Sequence, residues 1–225
     1  MFFEKSVDNE KWVVTYDKAI REDGSLLFPK KLSEDYLKRQ RKAQGSYIFA
    51  HQYLNEIIPS DDQDFKKEWL VNYQALPKIK HTFAFVDPAI SLEDIADYTA
   101  FVVVDVDVDN QWYLKVAKRV RITATQTIKL IFDLQAIFKC QQIGVEAVAY
   151  QMALMHFLEA EMRKRRITIP VTAIKRGPDK SKLTRIRSLV PRFEWSRIQI
   201  KSGLYDFEDE YLKFPRGSYV DILDA

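Results

Sequence analysis

Apolar positions in this chain change their spacing near residue 80. From Phe83 onward they fall into short strand-like runs and helical spacings. "FAFVD" reads as a strand ending at Asp87-Pro88, and "YTAFVVVDVDVD" as a second, rich in valine. Asp109-Asn110 supplies a turn, and "QWYLKVAKRVRI" returns as a third strand. Three strands with short links predict an antiparallel meander. In "TATQTIKLIFDLQAIFKC", Ala124, Ile128, Ile131, Leu134 and Phe138 share one helical face, with Thr123 as the cap. "IGVE" is a short buried strand ending in Glu146. "YQMALMHFLEAEMRKRR" is a helix with Leu154, Phe157, Leu158 and Met162 inward. "IPVTAIK" is a strand, and "SKLTRIRSLVPRF" a helix ended by Pro191. "RIQI", "DFEDEYLKF" and "SYVDILDA" add a strand and two helices. The order predicts an α/β fold: a mixed sheet of three antiparallel strands followed by helix-linked parallel strands, with helices on both faces.

The first eighty residues follow another pattern. "WVVTYDKAI" has strand character, "LSEDYLKRQRKAQG" is a helix from Ser33 to a stop at Gly45, and "SYIFAHQYLNE" is a second short helix. This region is too small and irregular for a large core of its own. We expect residues 1–80 to form a linker-like appendage and 81–225 the main domain. Tyr47, Phe49 and Tyr53 read as core rather than a stacking platform.

Composition narrows the function classes. With 47% apolar and 30% charged residues the balance is globular. The single cysteine, Cys140, cannot form an internal disulfide, so a reducing compartment is expected. No run is long enough to span a membrane, and the N-terminus lacks a secretory core, so the expectation is a protein neither membrane-bound nor secreted. "GPDKSK" does not have P-loop spacing. His51, His81 and His156 have no zinc-site spacing with Cys140. Charge is more telling. The net is +3, yet Arg163–Lys201 holds 13 Lys and Arg against Asp179 and Glu194. That segment is +11, which leaves −8 for the rest, and such asymmetry points to an anionic partner, nucleic acid first.

Against that basic segment stand acids at chosen places. In a mixed sheet of this order the first and fourth strands are parallel neighbours, so Asp87 and Glu146 converge. Asp221 and Asp224, three residues apart, share one face of the last helix. Taken singly, an Asp before a proline reads as a turn residue. Gathered together, carboxylates suit hard divalent cations, and two such ions can activate water against a phosphodiester.

These stretches resemble the C-terminal nuclease domain of the large terminase subunit of tailed bacteriophages, a DNA packaging motor. The resemblance rests on "LLFPKKLSEDYLKRQRKAQGSYIFAHQYLNE", "FAFVDPAISLEDIADYTAF", "IGVEAVAYQ", "KSKLTRIRSLVPRFEWSRIQI" and "LKFPRGSYVDILDA", in the family's order. It implies a ribonuclease H-like fold and an endonuclease that cuts concatemeric viral DNA with two divalent ions, Mg²⁺ or Mn²⁺. Asp87 is then the first ligand, Glu146 the second and Asp221 the third. Val220 stands where the family's motif has an acid, and Asp224 is the neighbouring acid. Asp97 matches an acid of the first motif. Lys175, Arg176, Lys180, Lys182, Arg185 and Arg187 are expected to contact phosphates, while Arg163–Arg166 end a helix. The implied partners are double-stranded DNA, an ATPase domain of the same subunit, the portal and the small terminase subunit, in the cytoplasm of an infected bacterial host. Two rivals are a transposase- or junction-resolvase-type nuclease and a DNA-binding or motor-docking module without activity of its own.

Overall fold

A computed structural model describes residues 17–56, 64–88, 98–146, 151–175 and 181–225. Its chain divides into two compact units, Met1–Asp62 and Gln63–Ala225. The boundary falls before the one expected at residue 80. Phe65 is fully buried in the second unit's core, and a two-strand register ties residues 71–72 to its sheet. "WVVTYDKAI" lies mostly outside the described residues.

In the first unit, α1 (Glu34–Tyr53) starts at Ser33, whose side chain accepts from the Tyr36 amide. It breaks at Gly45, where φ is 78° and ψ 163°. That backbone is open to glycine and strained for other residues. Ala19, Leu37 and Phe49 form its small core.

The second unit is built on β1 (Val71–Asn72), β2 (Lys80–Asp87), β3 (Thr99–Asp107), β4 (Trp112–Val120), α2 (Ala124–Phe138), β5 (Gln142–Glu146), α3 (Gln151–Arg165), β6 (Val171–Ile174), α4 (Lys182–Arg187), α5 (Val190–Glu194), β7 (Ile198–Ile200), α6 (Tyr205–Lys213) and α7 (Asp221–Asp224). Seven strands lie in the order β1-β7-β4-β3-β2-β5-β6. β2, β3 and β4 form the expected antiparallel meander, and β5 and β6 extend it in parallel from β2. β7 and β1 add parallel strands beyond β4. The result is a ribonuclease H-like mixed sheet.

Alternation decides which face each helix covers. Ala84, Val86, Phe101, Val103, Ile143 and Val145 pack with α2 and α3 on one face. Leu114, Ala117, Ile198 and Ile200 pack with α4, α5, α6 and α7 on the other. Thr123 caps α2 in a reciprocal box with Gln126.

Three helix expectations need correction. Ala124 is exposed, and Thr127 takes the inward place while its hydroxyl donates to the Thr123 carbonyl. Phe157 is exposed, because Leu154 and Leu158, with Met155 and Met162 packed beside them, cover the sheet. Pro191 opens α5 rather than ending a helix; its missing N–H is not needed in a first turn. The chain turns at Ser188–Leu189 instead, so α4 and α5 are separate.

Candidate active site

Asp87 ends β2 and Glu146 ends β5, two parallel neighbours. Their register pairs Phe85 with Gly144 and Val86 with Val145, so one step further sets Asp87 and Glu146 at the same level. Parallel neighbours lie about 4.8 Å apart. Val86 and Val145 point into the core under α2 and α3. The residues after them therefore face the side covered by α4 to α7. The structure thus brings these two carboxylates together, as the sequence order required.

Glycine is needed two residues before Glu146. A Cβ on Gly144 would lie 2.8 Å from the Phe85 ring and 3.1 Å from Ile174. The bare backbone lets Phe85 lie across β5 directly below the two acids.

α7 carries the remaining acids to the same face. Asp224 is nearly buried and receives two hydrogen bonds from Arg185, Nε to Oδ1 at 3.0 Å and Nη2 to Oδ2 at 2.8 Å. The Arg185 guanidinium is held above its ordinary pKa chiefly by these bonds, and further by the charges of Asp224, Glu146 and Asp87. One guanidinium therefore stands in the field of three carboxylates from three elements. Asp221 is more exposed and accepts from Lys182 Nζ at 2.6 Å. An apolar cavity of about 420 Å³ adjoins Arg185 and Asp224, lined by Phe83, Phe85, Leu189 and Ile222 among others.

The anchor of α7 comes from an acid that sequence reasoning passed over. Val220 holds the cap position of this helix and has no side-chain oxygen to offer its amides. Glu210 on α6 does so from outside. Its Oε2 accepts from the amides of Ile222, at 2.9 Å, and Leu223, at 3.3 Å, and its Oε1 accepts from Arg119 Nη1. Glu210 is 1% exposed. Burial pushes its carboxyl upward, opposed by Arg119 and the two amides. One signal was present in "DFEDEYLKF": Phe207, Glu210 and Tyr211 share a helical face.

The expected phosphate contacts distribute unevenly. Lys182 and Arg185 are paired with the α7 acids, and Arg187 Nε donates to Asp64 at 2.9 Å. Lys175 is exposed, one residue past the register pair of Glu146 with Ile174. Asp97, Arg176 and Lys180 lie outside the described residues. Among the described residues, no three His, Cys, Asp or Glu side chains are grouped closely enough to hold a metal ion. The donors present are all carboxylate oxygens, the chemistry a hard divalent cation requires. Arg185 stands among them, so loading such an ion requires that guanidinium to yield.

No family model and no curated protein matches the sequence. Solved structures do match. The large terminase of a thermophilic bacteriophage, in complex with ATP-gamma-S, aligns with a TM-score of 0.58 at 14% identity, covering 82% of this chain and 45% of that one. The human cytomegalovirus terminase nuclease domain aligns at 0.51 and 11%, covering 71% and 90%. A manganese-soaked, inhibitor-bound form of that domain aligns at 0.51 and 14%, covering 72% and 91%. The fold is that of a terminase nuclease domain. The chain spans less than half of the phage terminase that it matches, and most of the viral nuclease domain. On this terminase-nuclease fold, the carboxylates lie at the edge of the sheet where two parallel strands end. No helix of the described residues is long and apolar enough to cross a membrane.

Proposed function

We propose that the chain is a divalent-metal-dependent endonuclease that hydrolyses double-stranded DNA during viral genome packaging. The observation that carries this reading is the register that sets Asp87 level with Glu146 at the parallel end of a ribonuclease H-like sheet, with the Arg185–Asp224 pair on the same face. Its fold supports the reading: a terminase nuclease domain is matched over most of its length.

Asp87 and Glu146 are the ligands of a Mg²⁺ or Mn²⁺ ion in this proposal. Asp224 takes the third place ahead of Asp221, because it shares Arg185 with the other two. Asp221 and Asp97 are then the acids for a second ion. When bound, such ions lower the pKa of water and stabilise the oxygens of an in-line displacement. The chain's own residues do the positioning. Glu210 fixes α7, Phe85 over Gly144 supports the strand ends, and Lys182 and Arg185 exchange their carboxylates for substrate phosphates. Lys175, Arg176, Lys180 and Arg187 extend the positive surface. The partners proposed with this function are an ATPase domain in the same subunit, the portal and the small terminase subunit, inside an infected bacterial cell.

Plasmid cleavage tests the proposal. The protein with Mn²⁺ should nick and linearise supercoiled plasmid, chelation should stop it, and Asp87→Asn should lower the rate roughly a hundredfold while keeping the parent's melting temperature. A folded Asp87→Asn variant that cuts as fast as the parent overturns the assignment.

A further inference from the structure

A second charged feature lies on the same edge of the sheet and is no part of the carboxylate cluster. Four side chains alternate cation and ring. The Arg121 guanidinium is 4.6 Å from the Tyr98 ring centroid. The Arg119 guanidinium is 5.6 Å from Tyr98 and 4.1 Å from Tyr219. The two tyrosines meet edge to face at 5.5 Å. Their places follow from the topology: Tyr98 precedes β3, Arg119 and Arg121 lie at the end of β4, and Tyr219 lies two residues before Asp221.

Register gives the distance from the acids. Asp87 pairs with Ala100, and Ala100 with Arg119. Arg119 is therefore two strands from Asp87, about 10 Å at the strand spacing. One DNA strand carries a phosphate about every 3.4 Å of rise. Winding around the axis adds to that rise, so successive phosphates of a strand lie about 7 Å apart, and the stack stands about one to two nucleotides from the acids.

The two arginines differ in what remains to them. Arg119 turns its edge inward to Glu210. Among the described residues, Arg121 has no carboxylate partner, and it is exposed. Ring faces covered by guanidiniums are not open to stack a base. A guanidinium laid on a ring keeps its N–H edge free and pre-set for a bidentate anion.

Resting on the nuclease reading, we propose that Arg121, held by Tyr98 against Arg119 and Tyr219, is a phosphate clamp for the DNA strand about one to two nucleotides from the cut. The clamp reads the backbone and not the bases. It is tied to the acids through Arg119 and Glu210, which also caps α7, so strand position and carboxylate position share one buried anchor.

Fluorescence anisotropy of a labelled duplex without metal, over a range of salt concentrations, tests this. Arg121→Ala should bind roughly three- to tenfold more weakly and reduce the salt slope by about 1, with no change in melting temperature. Arg121→Lys should keep the slope but not the full affinity, since the charge survives and the planar stack does not. If the parent binds DNA and Arg121→Ala matches it in affinity and slope, the clamp is overturned while the nuclease reading stands. If the parent itself shows no salt-dependent DNA binding, the clamp is overturned as well, and plasmid cleavage with Mn²⁺ decides the nuclease reading separately.

Discussion

Replacing Glu210 by alanine is expected to cost about 3 kcal/mol in stability, because Arg119 loses its buried partner and two amides lose their acceptor. Chemical denaturation of Glu210→Ala against the parent measures this. Glu210→Gln retains an acceptor for α7 and should lose less; a cost within experimental error for both would show that α7 needs no external cap. The contrast with Asp87 shows what sequence can and cannot reveal at a single position. Asp87 was legible because a strand, a proline and the order of later strands all bear on it. Glu210 was not, since one acid among Asp206, Glu208, Asp209 and Glu210 is buried only by virtue of where β4 and α7 lie. The expectation set Asp221 ahead of Asp224; the reverse order that we propose rests on Arg185, whose partner the spacing does not reveal.

Elements with strong periodicity, by contrast, were read nearly as they fold. The meander, α2 with its Thr123 cap and the parallel β5 and β6 all follow from spacing and length. Short elements were harder. β1 has two residues and β7 three, and pairing between them comes from tertiary packing alone. Pro191 was misplaced because a proline both ends helices and begins them. Gly144 shows how an element's composition is set from above. Placing a valine there puts Cβ at 2.8 Å from Phe85, and the ring must move from beneath Asp87 and Glu146. Gly144→Val should lower stability by about 2 kcal/mol, measured by urea denaturation. Unchanged stability would mean that Phe85 relocates freely and does not support the strand ends.

At the scale of the molecule, charge asymmetry and sheet order point to one edge. The basic segment from Arg163 to Lys201 supplies α4, whose Lys182 and Arg185 meet the acids of α7. Thus the +11 segment and the acidic remainder are partly neutralised by each other, and a polyanion and a divalent cation compete for the two halves of the same pairs. Binding one should then favour binding the other, by reciprocity of coupled equilibria. Everything proposed for the site depends on Asp87 and Glu146, with Asp224, holding divalent metal. Calorimetric titration with Mn²⁺ tests this most directly, on the parent and on Asp87→Asn, each with and without a short DNA duplex. Saturable binding by the parent, tighter with DNA, and loss of that binding in Asp87→Asn are the expected results. No Mn²⁺ binding by the parent in either condition, or equal binding by Asp87→Asn, would contradict the assignment.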